Sequence, residues 1–295
     1  MTRGIFVGLS TIDLIHTVDE FPSANQKVVA RSQAALVGGP ASNAAITFSH
    51  LGGKATLVSA VGRHKLAALV KEELQHYGVS LVDLAPESEE PPPISSVWVN
   101  RQGQRSVVSV NSTHLKIPPA EIDPSILKNA HILLIDGHAM EACLAWAEAA
   151  RSRGVPVVFD GGSWKPGTEQ LLKFADTAIC SADFLPPGCT GEGAVIEYLR
   201  ANGVRQIAIT RGANPIRFAA GSSLDSIDVP QVGVVDTSGA GDIFHGAFCY
   251  YSSIGFGFVE ALRDAARIAA ESCRFHGTRE WMQGETRNSP LQTSN

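Results

Sequence analysis

Short runs of consecutive apolar residues recur along the chain, each followed by a segment whose apolar positions return every three or four residues. The runs are GIFVGLS (4–10), ATLVSAVG (55–62), HILLIDG (131–137), VPVVFDGG (155–162), DTAICSA (176–182) and RQIAITRG (205–212). Between them stand ASNAAITFSHLGG (41–53), LAALVKEELQHYG (66–78), EACLAWAEAARSRG (141–154) and AVIEYLRANG (194–203), which carry helical spacing and stop at glycine. Strands apolar on both faces that alternate with helices predict a mainly parallel sheet with helices on either side. The expected class is therefore α/β, with the layers ordered α/β/α.

Two stretches break the alternation. Residues 25–39 (NQKVVARSQAALVGG) and 95–111 (SSVWVNRQGQRSVVSVN) read as extended chain, the second a hairpin about RQGQ with Val97, Val99, Val108 and Val110 at strand spacing. Together they predict a small separate sheet. PESEEPPP (86–93) is a solvated connector by composition, and the polar end 286–295 has the composition of a disordered tail. No internal repeat is present.

Composition narrows the chemistry. With 295 residues, 44% hydrophobic and 18% charged, the chain can bury a large core, and its formal charge of -5 argues against a phosphate-tracking nucleic-acid surface. Five scattered cysteines contain no C-x-x-C pair, which disfavours a disulfide scaffold or a zinc site. No run approaches the roughly 20 apolar residues of a membrane helix, and the amino-terminal run reads as a first strand rather than a signal peptide. A cytoplasmic protein acting on a small molecule is expected, with neither nucleic acid nor membrane as partner.

The chemistry concentrates in DTSGAGDIFHGAF (236–248). Gly239, Ala240 and Gly241 allow a sharp turn that exposes successive N–H groups at the start of a helix, where amides and dipole favour an anion such as phosphate. Asp242 in that first turn can accept a proton from a hydroxyl held beside the anion. A second reading stays open on these residues alone: tight strand–helix packing, with Asp242 as a dipole cap. No G-x-x-x-x-G-K-[ST], no G-x-G-x-x-G after the first strand and no G-x-S-x-G centred on Ser238 is found.

DTSGAGDIFHGAF resembles the signature D-T-x-G-A-G-D-x-F-x-[GA] of the ribokinase-like (PfkB) carbohydrate kinases, and VGGPASNAAITFSHLGG (37–53) resembles that family's other signature. The resemblance runs from GLSTIDLI to HGTREW. It implies one ribokinase-like kinase domain over 1–285, with a small β lid formed by about 13–36 and 92–112. It also implies Asp242 as the base that deprotonates the acceptor hydroxyl, and the amides of Gly239, Ala240 and Gly241 as the anion hole. Asp13, Gly38, Gly39 and Asn43 match the sugar contacts, and Arg105 matches the lid's G-x-R pattern. Ser181, Thr210, Gly212 and Gly277 match positions at the ATP site. ATP and Mg2+ are the implied cofactors; K+ activation and a homodimer through the lid are family traits that these residues do not display. Which residues would hold a metal is left unassigned.

The chain departs from the family pattern in several places. CSADF (180–184) stands where many members carry N-x-x-E; certain members, fructose-type kinases among them, also have serine there, so this points to a subgroup rather than to inactivity. Pro215 stands after Asn214 where the nucleotide segment usually ends in glycine. GRHKLAA (62–68) puts Arg63, His64 and Lys65 where members often have acids. Three exposed basic residues need no ligand, although an anionic acceptor would also suit them. His245 is assigned no role. The expected activity is transfer of the ATP γ-phosphoryl group to a primary hydroxyl of a ribose- or fructose-type sugar. The alternatives are a nucleoside kinase of adenosine type and a catalytically silent member acting by binding; a dinucleotide-dependent oxidoreductase is remote without its glycine fingerprint.

Overall fold

The computed structural model describes residues 1–110, 122–221 and 223–283. The polar end 286–295 and the last positions of the 92–112 segment lie outside these residues. Elements are numbered in chain order. The main sheet is built from β1 (Arg3–Val7), β4 (Lys54–Ser59), β5 (Ser80–Asp83), β8 (Ile132–Ile135), β9 (Val157–Gly161), β10 (Thr177–Ser181), β11 (Gln206–Arg211), β12 (Asn214–Ala220) and β13 (Ser223–Ile227). Their spatial order is β13-β12-β11-β10-β9-β8-β1-β4-β5. Pairing is parallel from β11 through β5, and β12 and β13 add an antiparallel edge.

The continuous apolar runs are explained by burial on both faces. In β1, Ile5 and Val7 enter one core with Trp146 of α4 (Met140–Arg151) and Leu199 of α6 (Glu192–Ala201), beside α3 (Pro124–Leu127) and α5 (Thr168–Leu172). Phe6 between them enters the other core, with Phe48 of α1 (Pro40–His50), Leu74 of α2 (Ala67–His76), Phe248 of α7 (Ala240–Ser253) and Leu262 of α8 (Phe258–Ser272). Side chains alternate along a strand, so each strand feeds both cores. Both cores are needed: removing one fully buried aromatic such as Phe48 would cost about 3–5 kcal/mol.

The second sheet has the order β3-β2-β6-β7 and comprises β2 (Thr11–Thr17), β3 (Ser32–Gly38), β6 (Ile94–Val99) and β7 (Arg105–Ser109). β2 pairs antiparallel with β3 and parallel with β6, setting Asp13 between Leu36 and Ser95. Of the predicted strand valines, Val97 and Val99 are buried whereas Val108 and Val110 are exposed. Extended structure predicted over 25–39 begins only at Ser32. Upstream, a turn at Ser23–Gln26 is closed by Gln26 N–H to Ser23 O at 3.1 Å, with Asn25 in the left-handed region at φ 63°.

The two glycine-rich segments converge because α1 and α7 pack at very short range. A Cβ at Gly246 would stand 2.4 Å from the Ala44 carbonyl oxygen, so only glycine permits this approach. The start of α7 thereby faces the start of α1 at the carboxyl ends of the parallel strands, where open α/β sheets bind ligands.

Candidate active site

Gly239 is the N-cap residue of α7, and its φ of 64° turns the chain sharply into the helix; a Cβ there would meet Thr278 Cγ2 at 2.5 Å. No side chain caps the helix, and the Ala240 amide makes only a long 3.3 Å bond to Thr237 O. The turn is braced from behind. Asp236 accepts the Ser238 amide (2.8 Å) and hydroxyl (2.7 Å) on one oxygen and the Gly277 amide (2.8 Å) on the other. The result is a rigid, positively polarised helix terminus.

Asp242 stands in the first turn of α7, and its Oδ2 accepts a 2.7 Å hydrogen bond from Asn43 Nδ2. Asn43 Oδ1 in turn accepts from Arg279 Nη1 at 3.0 Å. Only this amide orientation serves both neighbours, since a carboxylate accepts and a guanidinium donates. Arg279 is buried and donates further to Glu73 Oε1 (2.9 Å) and Val37 O (2.7 Å). Burial pushes the Asp242 carboxyl up to about 7, and neighbouring Asp160 adds to the rise; Asn43 and His245 oppose it. Asp242 is thus poised to hold or release a proton near neutrality.

Asp13 lies beside this centre on β2. Its Oδ1 accepts from Thr11 Oγ1 at 2.8 Å, and burial raises its carboxyl, with Thr11, Ser95 and Arg279 opposing. Gly38 and Gly39 make room for it and for the neighbouring chain. A Cβ on Gly38 would fall 2.1 Å from Asp13 Oδ2, and one on Gly39, at φ 92°, 2.3 Å from Leu9 O.

A pocket of about 330 Å³ adjoins the α7 terminus. Thr210, Gly212, Arg105, Ala240 and Gly241 line it, and Ile216, Val229, Phe244, Ala266 and Ala269 give it an apolar wall. Ser181 neighbours Thr210 across the β10–β11 pair, its hydroxyl donating to Gly162 O (3.2 Å) and accepting the Asp183 amide (2.9 Å). Gly277 does not line the pocket; it braces Asp236 instead. Arg105 reaches Ser238 Oγ at 3.4 Å, so it stands on the pocket side of the centre.

The structure therefore brings together Asp13, Gly38, Gly39, Asn43 and Asp242 as one group, and Thr210, Gly212 and Arg105 as another. The amides at 239–241 lie at the start of the helix between them. Sequence reasoning overlooked Arg279, Asp160 and Asp136. Arg279 sits in the quoted HGTREW; Asp160 and Asp136 end apolar strand runs, and an acid there is the available signal. In the basic loop, Arg63 pairs with Glu89 (2.9 Å) and Glu87 (3.6 Å), so its charge is met by the acidic connector.

The profile of the pfkB family carbohydrate kinases matches residues 1–283. Ribokinase of Bacillus subtilis is 26% identical over 276 residues, covering 91% of this chain and 92% of that protein. Ribokinase of Arabidopsis thaliana is 26% identical over 282 residues, covering 90% and 74%. Among solved structures, Arabidopsis ribokinase complexed with ribose and ATP superposes with a TM-score of 0.80 at 24% identity, covering 94% of this chain and 93% of that one. Ribokinase from Thermotoga maritima gives 0.78 at 23%, covering 96% and 98%. With both glycine signatures meeting at one centre and the profile spanning nearly its whole length, the chain belongs to the pfkB family of carbohydrate kinases.

Proposed function

We propose that this kinase transfers the γ-phosphoryl group of ATP to a primary hydroxyl of a small ribose- or fructose-type sugar. The observation that carries the reading is the 2.7 Å link from Asn43 to Asp242, which couples the glycine-pair helix to the base at the anion-binding terminus. Asp13 and Asn43 engage sugar hydroxyls, since a carboxylate and an amide each meet a diol through more than one atom. Asp242 takes the proton of the attacking hydroxyl. The amides of Gly239, Ala240 and Gly241 stabilise charge on the transferring group, where positioning and electrostatics supply most of the catalysis.

The nucleotide occupies the 330 Å³ pocket, its base against the apolar wall, with Thr210 and Gly212 in the lining, Ser181 beside Thr210, and Gly277 acting through its hold on Asp236. ATP enters as its magnesium complex. Among the described residues there is no cluster of three or more His, Cys, Asp or Glu that could hold a metal ion, and the residues that would meet Mg2+ stay unassigned. An Escherichia coli relative in fold, described as a ribokinase II, was solved with ATP and Mg2+. Arg105 is read as a contact to the phosphates rather than the sugar, on its 3.4 Å approach to Ser238.

Among the described residues no helix is long and apolar enough to cross a membrane. The cysteines are free, which suits a reducing, cytoplasmic compartment. Val107, Val108 and Val110 stand exposed on or beside the edge strand β7, which supports pairing of two small sheets in a homodimer, checked by sedimentation of the full chain.

The deciding assay is ADP release with Mg2+ and ATP across pentoses, hexoses, ketoses, nucleosides and sugar phosphates, wild type against Asp242→Asn. Sugar-dependent turnover that falls about 10²–10⁴-fold in the variant is expected. Nucleosides as preferred acceptors would replace the sugar reading with the adenosine-type alternative. ATP binding without turnover on any acceptor would favour a binding role. Repeating the assay in K+ and Na+ tests monovalent activation.

A further inference from the structure

One buried carboxylate at the active end of the main sheet has no part in the reaction as written. Asp160 closes β9. The alternation that sends Val157 and Phe159 into one core turns Val158 into the other, and Asp160 shares that second face, 4% exposed. Its Oδ2 has no hydrogen-bond partner among the described residues. It faces Nδ1 of His245 at 3.4 Å.

His245, on α7, is 5% exposed and held at both ring nitrogens. Nδ1 lies 2.7 Å from Gly241 O, and Nε2 lies 3.1 Å from Ile179 O. Carbonyl oxygens only accept, and a neutral imidazole has a single N–H, so a neutral ring would press a lone pair against one of them. Turning the ring over would set C–H groups against both carbonyls and lose both bonds.

We propose that His245 carries a proton on each ring nitrogen, is paired with Asp160, and acts as a positioning residue that orients the Gly241–Asp242 peptide and favours the ionised form of the Asp242 carboxylate. The Gly241 carbonyl and the Asp242 N–H belong to one peptide unit, so the Nδ1 bond tethers the first turn of α7 directly. The charge balance points the same way. Burial and Asp160 both oppose ionisation of Asp242, whereas Asn43 and His245 favour it.

Other groups face the pair from each neighbouring element: Asp136 and His138 after β8, Lys165 after β9, Cys180 on β10 and Asp242 on α7. Asp136 is committed to the amides of Leu9 and His138, and Lys165 Nζ to the carbonyls of Asp136 and Ser163. Burial raises the Asp160 carboxyl, and His245, 3.4 Å from its bare oxygen, is the foremost of the charges that oppose the rise. The catalytic half of this inference rests on the kinase reading; the protonation half does not.

Long-range 1H–15N NMR of the full, 15N-labelled chain tests it without any substrate. At pH 7 both nitrogens of His245 should resonate as protonated, the signal being assigned by its loss in His245→Gln or, should that chain not fold, by its displacement in Asp160→Asn. In Asp160→Asn, which removes the facing carboxylate, the doubly protonated ring should be less populated at pH 7. A ring with one protonated nitrogen at pH 7, or a doubly protonated population unchanged in Asp160→Asn, overturns the pairing.

The second arm is the pH profile of kcat/KM. In His245→Gln the acid limb should move up by about one pH unit, with activity returning at higher pH. A uniform loss at every pH would reduce His245 to a packing residue and overturn the electrostatic role. If no acceptor supports turnover, the kinase reading fails while the NMR arm still decides the protonation of His245.

Discussion

Asn43→Asp isolates the hydrogen bond to Asp242, the residue proposed as the base. The replacement is isosteric and still offers Arg279 Nη1 an acceptor at the Oδ1 position, 3.0 Å away in the native chain. What changes is the atom 2.7 Å from Asp242 Oδ2, from an N–H donor to a carboxylate oxygen. Two carboxylates at that separation share a proton. Loss of a hydrogen bond to a charged group is worth about 1.5–3 kcal/mol, or about 1–2 pH units. The acid limb of kcat/KM, native near the Asp242 value of about 7, should therefore rise by that amount. At pH 7 the ionised fraction then drops from about a half to between roughly one in ten and one in a hundred, and the rate falls about 5- to 50-fold. Much of it should return by pH 9. The assay is ADP release over pH 5.5–9.5, with thermal melting to verify the fold. An unmoved limb, or an equal loss at every pH, would refute the assignment of Asp242 as a base tuned by Asn43.

Three further outcomes follow from the same geometry. Because burial raises the Asp242 carboxyl above its ordinary value to about 7, the native state binds a proton that the unfolded chain has released, and this contribution to stability is lost as pH rises through 7. Asp242→Asn should thus raise the melting temperature more at pH 8 than at pH 5, and an equal gain at both would count against burial as the cause. Gly38→Ala would push a methyl to 2.1 Å from Asp13 Oδ2, swinging that carboxylate away; the sugar KM should rise at least about tenfold with a smaller change in kcat, and an unchanged KM would remove Asp13 from the sugar site. Arg279→Met leaves Glu73 and Asn43 without their buried partner, so urea denaturation should show a loss of about 3–5 kcal/mol; under 1 kcal/mol would refute its bridging role.

The parallel core was legible because strands buried on both faces write continuous apolar runs, as β1, β8, β9, β10 and β11 do. The short polar-ended β5, the antiparallel β12 and β13, and β2, which restarts only three residues after β1 and is interrupted by Asp13 and His16, have no such run. α8 went unread although the apolar positions of its buried face, Ala261, Leu262, Ala265 and Ala266, return at helical spacing. Within the site, Gly38, Gly39, Asn43 and Asp242 were visible as spaced signatures. Asp160, His245 and Arg279 were not: what matters about each is a neighbour 66 to 242 positions away in sequence, such as Ile179 O for His245 or Val37 O for Arg279. Arg105 was recognised by a lid pattern, yet pattern alone did not say which end of the centre it would approach.

Two demands on Asp242 oppose one another, and the fold reconciles them. A base matched to neutral pH needs its proton affinity raised, which burial does; a buried charge is destabilising unless it is met by donors and positive potential. Here the donor comes from α1 through Asn43, the potential from the terminus of α7, and the hold on Asn43 from Arg279 near the end of the described chain. These parts come from three separate stretches of sequence, so their meeting depends on how closely α1 and α7 can pack. Gly246 sets that limit, with the Ala44 carbonyl where its Cβ would be. The glycines of DTSGAGDIFHGAF therefore serve different ends: Gly239 turns the chain into the helix terminus proposed to bind the anion, while Gly246 brings α7 near enough to α1 for Asn43 to reach Asp242, the proposed base. A methyl at Gly246 would force the helices apart and lengthen the 2.7 Å link, disarming Asp242 without altering any residue that lines the nucleotide pocket.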